Sequence, residues 1–267
     1  MGHTANYKII IITIMPQDDI GRQNIFKFLD NTNDVVIVVD SSSDLKLHEQ
    51  LQTHDAKVFP QRISGLAPAK REGFNYGQRH VYTVCRHFLP NVIYIWMESI
   101  YEDISNHIPH ITAPLISYEA DIVIVGRTAQ SSALLSKTQQ AIEYLGNSAY
   151  ETTGMQGGPM TGVIAFTDAM MHYFASCYPE TYGEDMPEHF GYIEHLAPIV
   201  ASVHGAQVVG VDIDLQHTQA KSEETFEDIF AQIKKLSACV KSYKVIAEKL
   251  NLSREPKFKE PELLEQS

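Results

Sequence analysis

The sequence predicts an α/β fold, a mainly parallel central sheet flanked by helices and closed by a long C-terminal helix. Three observations carry this expectation. Short Val/Ile runs recur along the chain with little polar alternation, the pattern of strands buried on both faces. Between them apolar residues fall at helical spacing, as in Phe74, Gly77, Val81, Cys85 and Phe88. The run from Asp34 to Asp40 then ends on a carboxylate and passes into Ser41, Ser42, Ser43 and Asp44. An open α/β sheet presents groups to a ligand in this way, beyond its strand C-termini.

Taken in order, strands are expected at Lys8 to Met15, Asp34 to Asp40, Ala56 to Pro60, Asn91 to Glu98, Ala120 to Arg127, Gly162 to Thr167 and Ala206 to Asp214. Pro68 suits the first turn of the helix that carries Lys70 and Arg71, because its missing N–H has no partner to lose there. Ile108, Ile111 and Leu115 mark a second helix, and Met170, Met171, Phe174 and Cys177 a third, for which Thr167 is the expected N-cap. A final helix from about Glu223 to Leu250 carries Phe226, Ile229, Phe230, Ile233, Leu236 and Val240 on one face, which is expected to close the domain. Ser253 to Ser267 alternates Pro, Lys and Glu and reads as a polar tail. With no internal repeat or low-complexity linker, residues 1–252 read as a single domain.

Composition narrows the function. The chain has 267 residues, 44% hydrophobic and 20% charged, enough for one large core. Its net charge of −12 and lack of a Lys/Arg block argue against binding to nucleic acid or an anionic membrane surface, so any phosphate is held locally. The three cysteines, Cys85, Cys177 and Cys239, are far apart and lie in helical patterns, which suits small core residues in a reducing compartment. The run from Ile9 to Met15 is too short to span a membrane, and a soluble, cytoplasmic protein is the expectation.

The residues able to do chemistry fall at strand ends. Met15-Pro16-Gln17-Asp18-Asp19 follows the first strand and Asp40-Ser41-Ser42-Ser43-Asp44 the second. Next comes Gly65-Leu66-Ala67-Pro68-Ala69-Lys70-Arg71 at a helix start, where backbone N–H groups and two cations suit a diphosphate. The fourth strand delivers Trp96-Met97-Glu98-Ser99. In order and spacing, over about residues 8 to 235, these motifs resemble the GT-A glycosyltransferases. The resemblance is to the family 2 inverting enzymes and to their retaining relatives that make mannosylglycerate or glucosyl-phosphoglycerate.

The resemblance implies a nucleotide-binding half over about residues 1–127 and an acceptor half over about 128–252. Asp40, with Ser42 beside it, faces the nucleobase, Pro16 and Asp19 lie near base and ribose, and Lys70 and Arg71 support the diphosphate. Each has a plainer counterpart: a turn cap for Asp40, a solvated helix face for Lys70 and Arg71. The family's Asp-x-Asp metal motif is replaced by Met97-Glu98-Ser99-Ile100. One Glu with the Ser99 hydroxyl is a poorer hard-ligand set than two Asp. The resemblance implies partial compensation from His217, which follows the last strand where related enzymes supply a metal-binding His. Glu98 and His217 are thus the candidates to hold a divalent cation, Mn²⁺ or Mg²⁺. In the acceptor half, Thr153 to Gly162 resembles the family's glycine loop, so Gly154, Gly157 and Gly158 are acceptor-binding candidates. Tyr182 to Glu194 resembles its acidic segment, where Glu184, Asp185 or Glu194 would deprotonate the acceptor hydroxyl.

These implications describe a transferase that moves sugar from a nucleotide-diphosphate sugar to a hydroxyl of a small molecule or glycan, in a chain that could form a homo-oligomer. Two other readings are a nucleotide-binding descendant without catalysis and a nucleotidyltransferase of related fold. Against the latter, only Gly21 and Arg22 stand where a glycine- and basic-rich loop follows the first strand.

Overall fold

The computed structural model describes residues 7–14, 19–42, 44–84, 91–98, 101, 103–184, 186, 191–215 and 225–252. All seven expected strands are present within about two residues of their expected bounds. They are β1 Tyr7–Ile14, β2 Val35–Asp40, β3 Lys57–Pro60, β4 Val92–Glu98, β5 Ile122–Arg127, β6 Val163–Thr167 and β7 Val208–Ile213. The helices are α1 Asp19–Asp30, α2 Leu45–Thr53, α3 Leu66–Val84, α4 Ile104–Ile116, α5 Ala129–Ala133, α6 Lys137–Glu151, α7 Met171–Ala175, α8 Ile193–Val203 and α9 Phe226–Lys249. One sheet holds every strand in the order β3-β2-β1-β4-β6-β5-β7. All pairings are parallel except those of β6 with β4 and β5.

Strand alternation sorts the Val/Ile runs into two cores. Ile9, Ile11, Tyr94 and Trp96 pack with Phe74 of α3 and with residues of α6, α7, α8 and α9. Ile10, Ile12, Ile95 and Met97 pack with Ile25 and Phe28 of α1, Leu51 of α2 and Ile108 and Ile111 of α4. Successive side chains point to opposite faces, so an unbroken apolar run is what a sheet covered on both sides requires. Cys177 and Cys239 are buried single thiols, and burial pushes both up to about 12, which makes them core residues rather than nucleophiles.

Two local expectations are corrected. Thr167 precedes a 3-10 turn at Asp168–Met170 and makes no side-chain capping bond. The expected face of α9 does not close the domain. Phe226, Phe230, Ile233 and Val240 are exposed, and the helix instead buries Cys239, Ser242, Tyr243, Ile246 and Ala247. Of the expected residues, Leu236 packs against the core and Ile229 is half-buried, while the fully buried stripe lies further toward the C-terminus.

Topology assembles one edge. Register sets Ile14 beside Asp40, Asp40 beside Pro60 and Thr13 beside Glu98, so β1 to β4 end together. Because β6 runs the other way, it begins on that same edge, with Val163 opposite Met97. The strand order reverses between β1 and β4, and such sheets bind ligands outside the carboxyl ends of the strands at a switch point of this kind.

Candidate functional site

At the end of β2, Asp40 is fully buried and its carboxylate is engaged by its own turn. Oδ1 accepts the Ser42 N–H at 3.2 Å, Oδ2 accepts the Ser42 hydroxyl, and His48 Nε2 of α2 lies 2.8 Å from Oδ2. Asp44 caps α2 by accepting the Leu47 N–H at 3.1 Å. The turn-cap role weighed for Asp40 is therefore present, and His48 joins the site as a residue the sequence reading missed. Its signal was available: eight residues after Asp40, it sits one turn into the helix that the turn feeds.

Between β3 and α3 the chain is fixed by side chains. Gln61 Nε2 donates to the Gly65 carbonyl at 2.7 Å, and the Glu72 carboxylate accepts the Arg62 and Ile63 N–H groups, each at 2.9 Å. Lys70 then turns inward and is wholly buried. Its Nζ lies 2.5 Å from Glu194 Oε2 on α8, 4.0 Å from the Trp96 ring centroid and 5.3 Å from that of Tyr192. An ammonium leaves water only where a carboxylate and π faces replace its hydration. Arg71 is half-buried, donates to the Cys177 carbonyl at 2.9 Å and lies over the Tyr178 ring at 4.4 Å. Neither cation is a solvated helix-face residue, and Lys70 joins a donor-side candidate directly to an acceptor-side one.

Glu194 opens α8, and its neighbour His195 ties three elements together. The His195 imidazole bonds the Pro159 backbone, and Tyr243 Oη of α9 lies 2.6 Å from Nδ1. Pro159 offers only its carbonyl, so the ring donates there through Nε2–H and accepts the Tyr243 hydroxyl at Nδ1. Burial, with Lys235 and Lys70 nearby, holds His195 well below the ordinary imidazole value. Beside it Tyr150 is fully buried, and desolvation, with the Glu194 charge, pushes its phenol well above its usual value.

The glycine loop rests on the sheet. Gly157 has φ +104°, and a Cβ there would fall 2.9 Å from Ile124 Cβ; at Gly158 it would fall 2.9 Å from the Gly126 Cα. Close approach of backbone to β5 accounts for both glycines. Gly154, at φ +87°, turns the chain out of α6. Thr161 donates its hydroxyl to the Val125 carbonyl at 2.6 Å, and Tyr101 donates to the Thr161 carbonyl.

At the end of β5, Arg127 forms the second buried pair of the edge. Its Nε lies 3.2 Å from Glu143 of α6, Nη2 reaches Tyr101 Oη at 3.3 Å, and Nη1 reaches the Leu215 carbonyl at 3.4 Å. Ser131 Oγ also donates to that carbonyl, at 2.6 Å. The chain leaving β7 is thereby fixed two residues before His217.

Of the other candidates, Glu184 is exposed on a turn after Pro179–Tyr182, Glu98 closes β4 and Asp19 opens α1. Pro16, Asp185 and His217 lie outside the described residues. Among the described residues no group of three His, Cys, Asp or Glu forms a metal cluster, and no helix is long and apolar enough to cross a membrane.

The strand order, the single reversed strand and the crevice define a GT-A fold, a Rossmann-like sheet with helices on both faces. Among solved structures, the chain is similar to glucosyl-3-phosphoglycerate synthase from Mycobacterium tuberculosis bound to phosphoglyceric acid. The TM-score is 0.55 at 12% identity, over 93% of this chain and 81% of that one. The same enzyme with Mn²⁺, UDP and phosphoglyceric acid gives a TM-score of 0.55 at 12% identity, over 93% and 80%. With Mn²⁺, UDP-glucose and phosphoglyceric acid the values are 0.53 and 12%, over 93% and 81%. No family model matches the chain, and no curated protein matches it in sequence.

Proposed function

We propose that this protein is a nucleotide-sugar-dependent glycosyltransferase that moves a sugar from a nucleotide diphosphate to a hydroxyl acceptor. What supports the reading is that the Asp40 turn and the end of β4 at Glu98 lie on one edge of a GT-A sheet, with the buried Lys70–Glu194 pair over Trp96, two residues before Glu98. The solved structures with this fold include an enzyme whose complexes contain Mn²⁺, UDP-glucose and a phosphoglycerate. In this reading the half up to about residue 127 binds the nucleotide. The turns at Pro16, Asp19, Asp40 and Ser42 hold base and ribose, and the start of α3, with Lys70 and Arg71, faces the diphosphate. The half from about 128 to 252 takes the acceptor over the loop of Gly154, Gly157 and Gly158, with Glu184, Asp185 or Glu194 accepting the proton of its hydroxyl.

Glu98 with His217 are the residues that would hold a divalent ion, and one carboxylate with an imidazole suits Mn²⁺ better than Mg²⁺. Such an ion, when bound, offsets charge on the departing nucleotide diphosphate. The protein's own contribution is the Lys70 ammonium, held in place by Glu194 and Trp96, and the fixed exit of β7 that leads to His217.

Calorimetric titration with UDP and GDP, in Mn²⁺ and in EDTA, followed by a donor-hydrolysis screen, tests this reading. Binding of at least one nucleotide, tightened by Mn²⁺ and no longer tightened in Glu98→Gln or His217→Ala, is the expected result. Absence of any nucleotide binding in either condition would remove the proposal. Binding without hydrolysis or transfer would leave a nucleotide-binding descendant.

A further inference from the structure

We propose that the Lys70–Glu194 pair is an autoinhibitory latch: in the ligand-free protein the carboxylate holds the ammonium, and a nucleoside diphosphate takes that ammonium over. The inference rests on the nucleotide-binding reading above and adds to it a competitor built into the chain. Lys70 is 0% exposed and Glu194 3%, and they meet at 2.5 Å across 124 residues. One is a cation that the reading assigns to the diphosphate, the other a carboxylate it assigns to the acceptor. While they hold each other neither role is open, because the ammonium is neutralised and Glu194 Oε2 is bonded. A diphosphate and a carboxylate are both anions, so beside one ammonium they compete.

The surroundings let the partners separate without stranding either charge. Glu194 lies in the first turn of α8, a helix of 11 residues whose N-terminal N–H groups favour a carboxylate. Lys70 is a compact charge on a flexible stem, flanked by the Trp96 ring at 4.0 Å and the Tyr192 ring at 5.3 Å. Trp96 stands two residues before the end of β4, about 7 Å along the strand from that edge, so the ammonium has a short way to travel. The backbones that carry the pair are packed together, since a Cβ on Gly191 would fall 3.0 Å from Leu66 Cβ, the lead into α8 against the start of α3. Only side chains have to turn. Arg127 has no such freedom, because Glu143, the Tyr101 hydroxyl and the Leu215 carbonyl each hold a different nitrogen of its guanidinium.

Trp96 is the one tryptophan of the chain, so intrinsic fluorescence reports on the ammonium beside it. Titrating the full chain with UDP or GDP should give a saturable change in Trp96 emission, and so should inorganic pyrophosphate, which carries no base to quench an indole. Ligand-free Lys70→Met should already show the emission that wild type reaches at saturation, because in both the ammonium has left the ring. In calorimetry Glu194→Gln, which removes the competing charge and keeps an acceptor for Lys70, should bind the nucleotide at least about tenfold more tightly. A nucleotide that binds in calorimetry yet leaves Trp96 emission unchanged would overturn the latch and leave the nucleotide reading standing. So would a folded Glu194→Gln that binds no more tightly than wild type. Where Glu194→Gln fails to fold, the wild-type emission titration decides. No binding of UDP or GDP by wild type and Glu194→Gln alike would remove the nucleotide reading, and the latch with it.

Discussion

Two buried cation–carboxylate pairs border the crevice, and they are built differently. Arg127 spreads its guanidinium over Glu143, the Tyr101 hydroxyl and the Leu215 carbonyl, while Gln139 Nε2 adds a bond to Glu143 at 2.9 Å. A planar fork with several donors suits a clamp that joins strand, helix and loop. Lys70 instead sets a compact charge against Glu194 and the Trp96 ring, across a sequence separation of 124. A pair of this kind adds little net stability, because desolvation of both ions offsets their attraction. The clamp is accounted for by the fold. The Lys70–Glu194 pair is the one to which the proposed function assigns a ligand.

Separating stability from ligand binding sharpens this contrast most. Lys70→Met should lose about 3–5 kcal/mol, since it strands a buried carboxylate. Lys70→Met with Glu194→Leu should recover much of that loss, because an apolar pair needs no hydration, yet leave nucleotide diphosphate binding or transfer abolished. Chemical denaturation and calorimetry on the same variants check both halves. A double variant that binds and transfers normally would make Lys70–Glu194 a structural pair like Arg127–Glu143.

Arg127→Met should cost less, about 1.5–3 kcal/mol for hydrogen bonds to a charged group, because Gln139 still serves Glu143. Its functional signature should be specific: metal-free nucleotide binding kept, and Mn²⁺ enhancement reduced, since the chain that leads to His217 loses one of its anchors. Equal loss of nucleotide affinity in Mn²⁺ and in EDTA would count against the division between clamp and ligand pair.

The sequence made the sheet legible because burial on both faces leaves an unbroken Val/Ile signal in each strand. It made the edge legible too, since carboxylates and small polar residues at strand ends have no role in such a core. The inward turn of Lys70 was not readable, because a lysine at a helix start looks alike whether it meets solvent or a carboxylate 124 residues away. Arg127, Tyr101 and His195 were missed for the same reason: their partners are long-range. Gly157 and Gly158 were noticed, but the backbone they approach closely is that of β5. On α9 the more hydrophobic stripe faces outward at Phe226, Phe230 and Ile233, whereas Cys239, Tyr243 and Ile246 pack inward.

Asp40 tests whether a residue consumed by its own turn also serves a ligand. Asp40→Ala should weaken nucleotide diphosphate binding by about 1–3 kcal/mol, as expected for a lost bond to a charged group, with the fold retained. His48→Ala removes one partner of the carboxylate while leaving the Ser42 turn. If calorimetry gives wild-type affinity for a folded Asp40→Ala, the carboxylate is a turn cap and the nucleobase is read elsewhere.

The smallest effect is a pH slope, and it distinguishes the two pairs without any ligand. His195 is held below its unfolded value of about 6.5, by burial first and by Lys235 and Lys70 after it. Between the lowered value and about 6.5 the unfolded chain binds a proton that the folded chain does not. The associated stability is therefore complete above about pH 6.5 and is lost as pH falls below it, by up to about 1.4 kcal/mol per pH unit. His195→Gln, which can still donate to Pro159 and accept from Tyr243, should flatten the slope by close to one proton in urea denaturation series across the acid range. Lys70→Met should flatten it partly, by removing one of the cations that oppose protonation. Arg127→Met should leave it unchanged, because Arg127 is not among the groups acting on His195. An identical slope in wild type and His195→Gln would mean that His195 protonates alike in both states, and that the network joining α8, α9 and the glycine loop relaxes around a charged ring.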